Sequence, residues 1–165
     1  MARWVYEQKG LTIIEVLLGV VIMVLILGGT LAIFSISITA FEEGSAEINL
    51  QRNASIAMEK MVRGVVRVSG RDPGIREAVS VSISSGNNRI DFTSNDGDTR
   101  AFALAGTELR YYPDSDLSGY SVIAEDVADL DFAGTHVISI DLKMQNVVRD
   151  KTIGVDLSTQ VKLRN

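Results

Sequence analysis

Cysteine is absent from this 165-residue chain, and histidine, tryptophan and proline are scarce. Without cysteine the chain can form no disulfide, thiolate zinc site or cysteine nucleophile. The single histidine, His136, comes at the start of an apparent strand beside Gly134, where a structural role is favoured over a catalytic one. No Gly-rich phosphate loop follows a strand, and the serines of residues 79–85 alternate with apolar residues, as on the wet face of a strand. We therefore expect no catalytic set, no cofactor and no enzymatic activity.

Positive charge is also in the minority, with 16 Lys and Arg residues against 21 Asp and Glu residues and a net charge of −5. This balance, without any Lys/Arg cluster interleaved with aromatic residues, argues against general nucleic-acid binding. The hydrophobic content of 46% is inflated by one long apolar run near the N-terminus. Beyond that run, about 120 residues remain, which suits one globular domain.

The apolar run extends from Val16 to Phe41 without a charged residue. As a helix it would measure about 39 Å at roughly 1.5 Å per residue, enough to cross a hydrocarbon core of about 30 Å. Arg3 and Lys9 precede the run, and the acidic residues within 42–47 follow it. This charge asymmetry predicts a single-pass membrane helix whose N-terminus stays in the cytoplasm.

One carboxylate, Glu15, lies at the start of the apolar run, after a polar leader of residues 1–10. An ionised carboxylate in hydrocarbon costs on the order of 2.5–3.5 kcal/mol at the bilayer centre and less toward the interface, so Glu15 needs a partner. One interpretation is a capping box, in which the Thr12 hydroxyl binds an orphan amide and Glu15 reaches back. The leader does not match a secretory signal, because a cut after Gly10 would leave the apolar run on the mature protein.

The segment Lys9-Gly10-Leu11-Thr12-Ile13-Ile14-Glu15 closely resembles the N-terminus of the type IV pilin and type II secretion pseudopilin superfamily. The resemblance implies cleavage between Gly10 and Leu11 by prepilin peptidase, methylation of the Leu11 amine and an assembly role for Glu15. A Leu11 amine and the Glu15 carboxylate of a neighbouring subunit would neutralise one another in a low-dielectric bundle, favouring one axial register. The capping and assembly interpretations can both hold in turn.

The resemblance also implies partners and a location. The partners are prepilin peptidase, an inner-membrane assembly platform and other pilin or pseudopilin subunits, which contact the N-terminal helix. The chain would lie in the inner membrane, with its C-terminal domain periplasmic or extracellular, and then enter a pilus or pseudopilus.

Several features favour a minor subunit over a major one. Major pilins commonly have a helix-bending proline where this chain has Ala32, and many close a C-terminal loop with a disulfide that this chain cannot form. Residues 53–68, 122–132 and 155–165 are similar to the minor group that includes W-type pilins and J-type pseudopilins. This implies a low-copy subunit that initiates or caps a filament. The alternatives are a major pilin and a pilin-anchored adhesive or binding domain.

The rest of the sequence predicts an α+β fold. The transmembrane helix of residues 11–41 is predicted to continue as an amphipathic helix over 42–69. The segment Gly70 to Gly74, which contains Pro73, is expected to end it. The apolar face of that second segment is expected to comprise Leu50, Ala54, Ala57, Met61, Val65 and Val68. From Val79 the apolar residues alternate with period two, which predicts an antiparallel β domain over residues 70–165, on which the long N-terminal helix packs. The expected strands contain residues 79–83, 90–92, 102–104, 109–111, 121–123, 130–132, 137–145 and 152–163.

One acidic turn resembles an EF-hand calcium loop in its spacing. The oxygen-bearing residues are Asp114, Asp116, Ser118 and Glu125. Pro113 and strand-like flanks stand where an EF-hand has two helices. An acidic turn without metal is therefore favoured, and no metal site is predicted.

The cleavage assignment is testable by Gly10→Val. The branched side chain should exclude the precursor sterically from the peptidase, so the chain should keep its full-length mass when the peptidase is co-expressed. Intact-mass measurement of the protein from native membranes checks this. A product of mature size from this variant would move the cleavage site elsewhere.

Overall fold

The long helix α1 dominates the N-terminal part of the computed structural model, which describes residues 12–68, 70–114 and 119–164. Helix α1 covers Ile13–Arg63, and the chain divides into two compact units between Glu42 and Glu43. In the first unit the large apolar side chains of α1 are exposed. In the second unit, α1 buries Leu50, Ala54, Ala57, Met58 and Met61. Their spacing of three or four residues places them on one helix face.

Helix α1 ends at Arg63 because Gly64 adopts a φ of +105°, which glycine tolerates and other residues rarely do. The chain then forms a hairpin of β1 (Gly64–Arg67) and β2 (Gly70–Pro73). The prediction that the helix continues to Val68 is therefore wrong after Arg63. Val65 is buried as expected, but as a strand residue, and Val68 is fully exposed.

The larger sheet is an antiparallel meander of five strands, entered through a short 3-10 helix at Ile75–Glu77. Its strands are β3 (Ala78–Ile83), β4 (Arg89–Ser94), β5 (Thr99–Ala105), β6 (Glu108–Tyr112) and β7 (Ser121–Ala124). Asn87 and Gly106 have positive φ in two of the connections. Glycine and asparagine are residues that tolerate this conformation in turns.

The smaller sheet has three strands in the order β10-β9-β8. They are β8 (Val127–Ala133), β9 (Val137–Val148) and β10 (Lys151–Lys162). Strands β9 and β10 pair along their whole length around Arg149 and Asp150, both at positive φ, as a tight two-residue hairpin turn requires. The eight strands expected from residue 79 onward and the α+β fold class are thus confirmed.

A single hydrophobic cluster joins the second part of α1 to both sheets. The five-stranded sheet contributes Phe92, Phe102 and Tyr111, whose successive ring centroids lie 5.5 and 5.0 Å apart. The three-stranded sheet contributes fully buried residues such as Phe132 and Ile140. Burial of these aromatic and branched side chains is the main contribution to the stability of this unit.

Tyr111 also ties the β1–β2 hairpin to the five-stranded sheet. Its hydroxyl donates a hydrogen bond to Asp72 Oδ2 at 3.0 Å, and Arg67 Nε lies 3.2 Å from the same oxygen. Burial and the hydrogen bond to Asp72 raise the pKa of the Tyr111 phenol above its ordinary value. The phenol therefore stays neutral and remains a donor at physiological pH.

The close packing at Gly64 predicts that Gly64→Ala destabilises the protein strongly. A Cβ there would lie 2.0 Å from the carbonyl oxygen of Asp72 and 2.8 Å from the amide nitrogen of Gly74. We expect a loss of about 3 kcal/mol in the free energy of unfolding, from backbone strain and steric overlap together. Thermal unfolding of the detergent-solubilised chain, followed by circular dichroism, measures it.

Gly97→Ala is the matched control. Gly97 also has a positive φ, of +86°, but nothing lies within 4 Å of the position of its Cβ. The free energy of unfolding of this variant should fall by only about 1 kcal/mol, from the backbone conformation alone. Equal losses in the two variants would contradict the steric role assigned to Gly64.

Candidate functional site

The N-terminus of α1 holds the predicted carboxylate of Glu15 in a hydrogen-bonded ring with Thr12. The amide and hydroxyl of Thr12 donate to Glu15 Oε2 at 3.0 and 3.1 Å. The Glu15 amide donates to Thr12 Oγ1 at 3.3 Å. This is a reciprocal capping box, so the capping interpretation of these two residues is confirmed for the single chain.

The capping box leaves the Glu15 carboxylate open to a stronger partner. Both Thr12 and Glu15 are exposed, and within the described part of the chain no cation forms an ion pair with Glu15. A cationic donor would bind the carboxylate more strongly than the neutral groups of Thr12 do. The predicted cleavage and methylation residues, Gly10 and Leu11, lie outside the described residues. The assembly role of Glu15 therefore stays a prediction.

The apolar segment of α1, which we define as residues 13–41, leaves its large apolar side chains uncovered by the described part of the chain. Every large apolar side chain in it is exposed, from 38% at Ile38 to 83% at Ile13. Helix α1 is the one helix in the described residues that is long and apolar enough to cross a membrane. A helix that is apolar on every side suits a lipid environment or a bundle of similar helices.

Three hydroxyl side chains of the apolar segment donate hydrogen bonds to backbone carbonyl oxygens of the same helix. Thr30, Ser37 and Thr39 each donate to the carbonyl oxygen four residues earlier, at 2.8, 2.9 and 3.2 Å. These donors are thus satisfied without water, as hydrocarbon surroundings require. These three hydroxyls therefore do not oppose the transfer of the segment into an apolar medium.

The remaining sequence-predicted positions show no assembled centre. His136 is exposed immediately before β9, and its carbonyl oxygen accepts a hydrogen bond from the Leu163 amide at 3.1 Å. Two residues of the calcium-like turn, Asp116 and Ser118, lie outside the described residues. Glu125 is exposed between β7 and β8. Among the described residues, no three His, Asp or Glu side chains are grouped so as to hold a metal ion.

Sequence patterns miss one cluster of charged residues in the second unit. Arg63, Arg71, Arg76 and Arg164 line a concavity together with Glu77. These residues come from the end of α1, the β1–β2 hairpin, the 3-10 helix and the segment after β10. No local charge run contains them, and only the folded chain brings them together.

In comparisons with known proteins, no family model matches the chain and no curated protein matches it at a significant level. The resemblance of this chain to pilins therefore rests on its architecture. A long apolar N-terminal helix packed on antiparallel β-sheets resembles the pilin fold.

The capping box predicts that Thr12→Ala frays the start of α1, whereas Thr12→Ser and Glu15→Gln keep it closed. Alanine removes the hydroxyl, whereas serine retains it and a glutamine side chain can still reach back to the Thr12 amide. Loss of the cap should cost about 1 kcal/mol. Hydrogen exchange at the Glu15 amide in detergent should thus be roughly fivefold faster in Thr12→Ala. The Glu15 amide also donates to the Thr12 carbonyl oxygen at 3.1 Å, so unchanged exchange in that variant would mean that the Thr12 hydroxyl adds no protection to this amide.

Proposed function

We propose that this chain is a minor pilin or pseudopilin, a structural subunit that initiates or caps a type IV pilus or a type II secretion pseudopilus. The observation that carries the proposal is helix α1. Its first part exposes apolar side chains on every side and begins at a capped carboxylate, and its second part packs on the β domain. One helix with these two kinds of surface is what a membrane-anchored filament subunit needs.

In the proposed mechanism, the precursor waits in the inner membrane with Glu15 near the cytoplasmic interface. Prepilin peptidase hydrolyses the peptide bond after Gly10, and the freed Leu11 amine is then methylated by a separate methyl-donating cosubstrate. This amine then pairs with the Glu15 carboxylate of a neighbouring subunit on the assembly platform. Either charge alone is costly in a low-dielectric bundle, so the pair favours the one register that brings both together.

Extraction of the apolar segment from lipid is offset by burial against the helices of other subunits. Both surroundings are apolar, so the segment never enters water. The hydroxyls of Thr30, Ser37 and Thr39 need no new partner during this transfer, since each already donates to its own helix. The chain itself needs no cofactor and carries out no catalysis in this scheme.

The minor assignment is supported by the uninterrupted course of α1. Ala32 lies within the regular helix Ile13–Arg63, where major pilins commonly have a helix-bending proline. The chain has no cysteine for the C-terminal disulfide of many major pilins.

The assembly role of Glu15 predicts that Glu15→Ala and Glu15→Gln are processed but poorly incorporated. Both variants leave the Leu11 amine of the neighbouring subunit unpaired, and glutamine does so while retaining the cap. An unpaired buried charge costs several kcal/mol, so the mature protein in sheared filaments should fall by at least about tenfold. Immunoblots of the membrane and filament fractions of native cells measure both processing and incorporation.

Two variants control for the cap and for negative charge in general. Thr12→Ala removes the cap but keeps the Glu15 charge, and Glu47→Ala removes an exposed acid beyond the apolar segment. Both should be incorporated within about twofold of the wild type. Wild-type incorporation of Glu15→Gln would overturn the assembly role. If the chain were instead the main component of purified filaments, it would be a major pilin.

A further inference from the structure

One surface of the second unit concentrates positive charge in a chain of net charge −5. Two neighbouring concavities share Arg76 and Arg164. The cationic residues that line them, here named the basic trough, are Arg63, Arg71, Arg76, Lys162 and Arg164. The trough lies at the end of α1, where the partial negative charge of the helix C-terminus partly offsets the repulsion among the cations.

Carboxylates compensate only part of this charge. Arg63 pairs with Glu59 at 3.2 Å, and Arg71 binds both Glu77 and the carbonyl oxygen of Arg63. In the described ranges no carboxylate lies within ion-pair distance of the other three cations, which are Arg76, Lys162 and Arg164. The trough therefore has a surplus of positive charge, and its wall at Arg71 is already held in place before any partner binds.

The outer face of the three-stranded sheet carries the opposite charge. Asp129, Lys143 and Asp156 align across β8, β9 and β10. In the next row Asp131 lies directly opposite Asp141. Like charges placed opposite each other destabilise a sheet. Lys143, 3.7 Å from Asp129, is the only cation in these two rows.

The four aspartates, here named the aspartate face, are Asp129, Asp131, Asp141 and Asp156. Asp156 and Lys162 are both exposed, and since their positions differ by six, an even number, they lie on the same, outer side of β10. The six-residue separation corresponds to about 20 Å along the strand. Asp141 is nearer, because it lies opposite Ser158, which is four positions or about 13 Å from Lys162 along the strand. Both distances exceed the Debye length of about 8 Å at physiological salt, which keeps the basic trough and the aspartate face of one chain from neutralising each other.

We propose that the basic trough of one copy binds the aspartate face of a second copy. Complementary charge would neutralise the three uncompensated cations and relieve the repulsion between Asp131 and Asp141. Arginine suits this role because its planar group can bind a carboxylate through two parallel hydrogen bonds. The contact involves the second unit alone, so it does not depend on cleavage at Gly10 or on the charge of Glu15.

A charge-swap experiment with the full-length chain in detergent tests the contact. The trough variant carries Arg76→Glu and Lys162→Glu, and the face variant carries Asp131→Lys and Asp141→Lys. Sedimentation velocity should show self-association of the wild type at about 50 mM NaCl that weakens at about 500 mM. Each variant alone should bind itself at least about tenfold more weakly, because both of its patches then have the same sign. An equimolar mixture of the two should associate again.

The mixture separates this contact from a folding defect or from association through the apolar segment. Recovery in the mixture requires both variants to be folded and the two patches to meet. Glu47→Lys reverses an exposed acid outside both patches and should associate like the wild type. The proposal is overturned if the wild type stays monomeric at low salt or if each variant associates as well as the wild type. It is also overturned if the mixture stays monomeric while both variants keep the wild-type Tm.

Discussion

The structure depends on covering the apolar surface of a single helix in two different ways. In the second unit, α1 buries one face, from Leu50 to Met61, against two sheets of the same chain. In the first unit, residues 13–41 expose large apolar side chains on every side, and no described part of the chain covers these side chains. Since exposed apolar area of this extent is unfavourable in water, lipid or other helices must provide the second cover. The proposed subunit role follows from that requirement.

The second unit holds its part of α1 at both ends. Near its start, Lys151 in the β9–β10 hairpin donates to the Glu43 carboxylate. At the other end the backbones of Gly64 and Gly74 come so close that neither position has room for a Cβ. The Tyr111–Asp72 hydrogen bond then fixes the hairpin that follows. The helix face that forms the core is thereby set in register with the sheets.

Sequence periodicity predicts the elements whose signals are local. Alternation of apolar and polar residues locates the strands from Val79 onward, and the three-residue spacing of Thr12 and Glu15 predicts the capping box. The sequence pattern does not predict the β1–β2 hairpin, because Val65 fits the buried face of a helix as well as that of a strand. The end of α1 depends on a steric requirement at Gly64 that involves Asp72, and no local pattern contains it. The roles of Gly10 and Leu11 rest on family resemblance alone.

The charged surfaces are the least predictable part, because they are assembled from distant segments. Arg63 and Arg164 meet in one trough although they come from opposite ends of the second unit. The aspartate face depends on the cross-strand register, which places Asp131 opposite Asp141. The net charge of −5 indicates neither surface, because it is the sum over all charged residues of the chain.

The position of β10 has a consequence for the order in which the second unit folds. Ile153, Val161 and Leu163 are buried in the same core as the helix residues near Met61. Contacts between such distant segments form late and slow folding, because a long loop must close first. Until β10 has been synthesised and has joined the core, the apolar face of α1 lacks part of its cover. The nascent domain therefore passes through a stage in which part of that face is exposed.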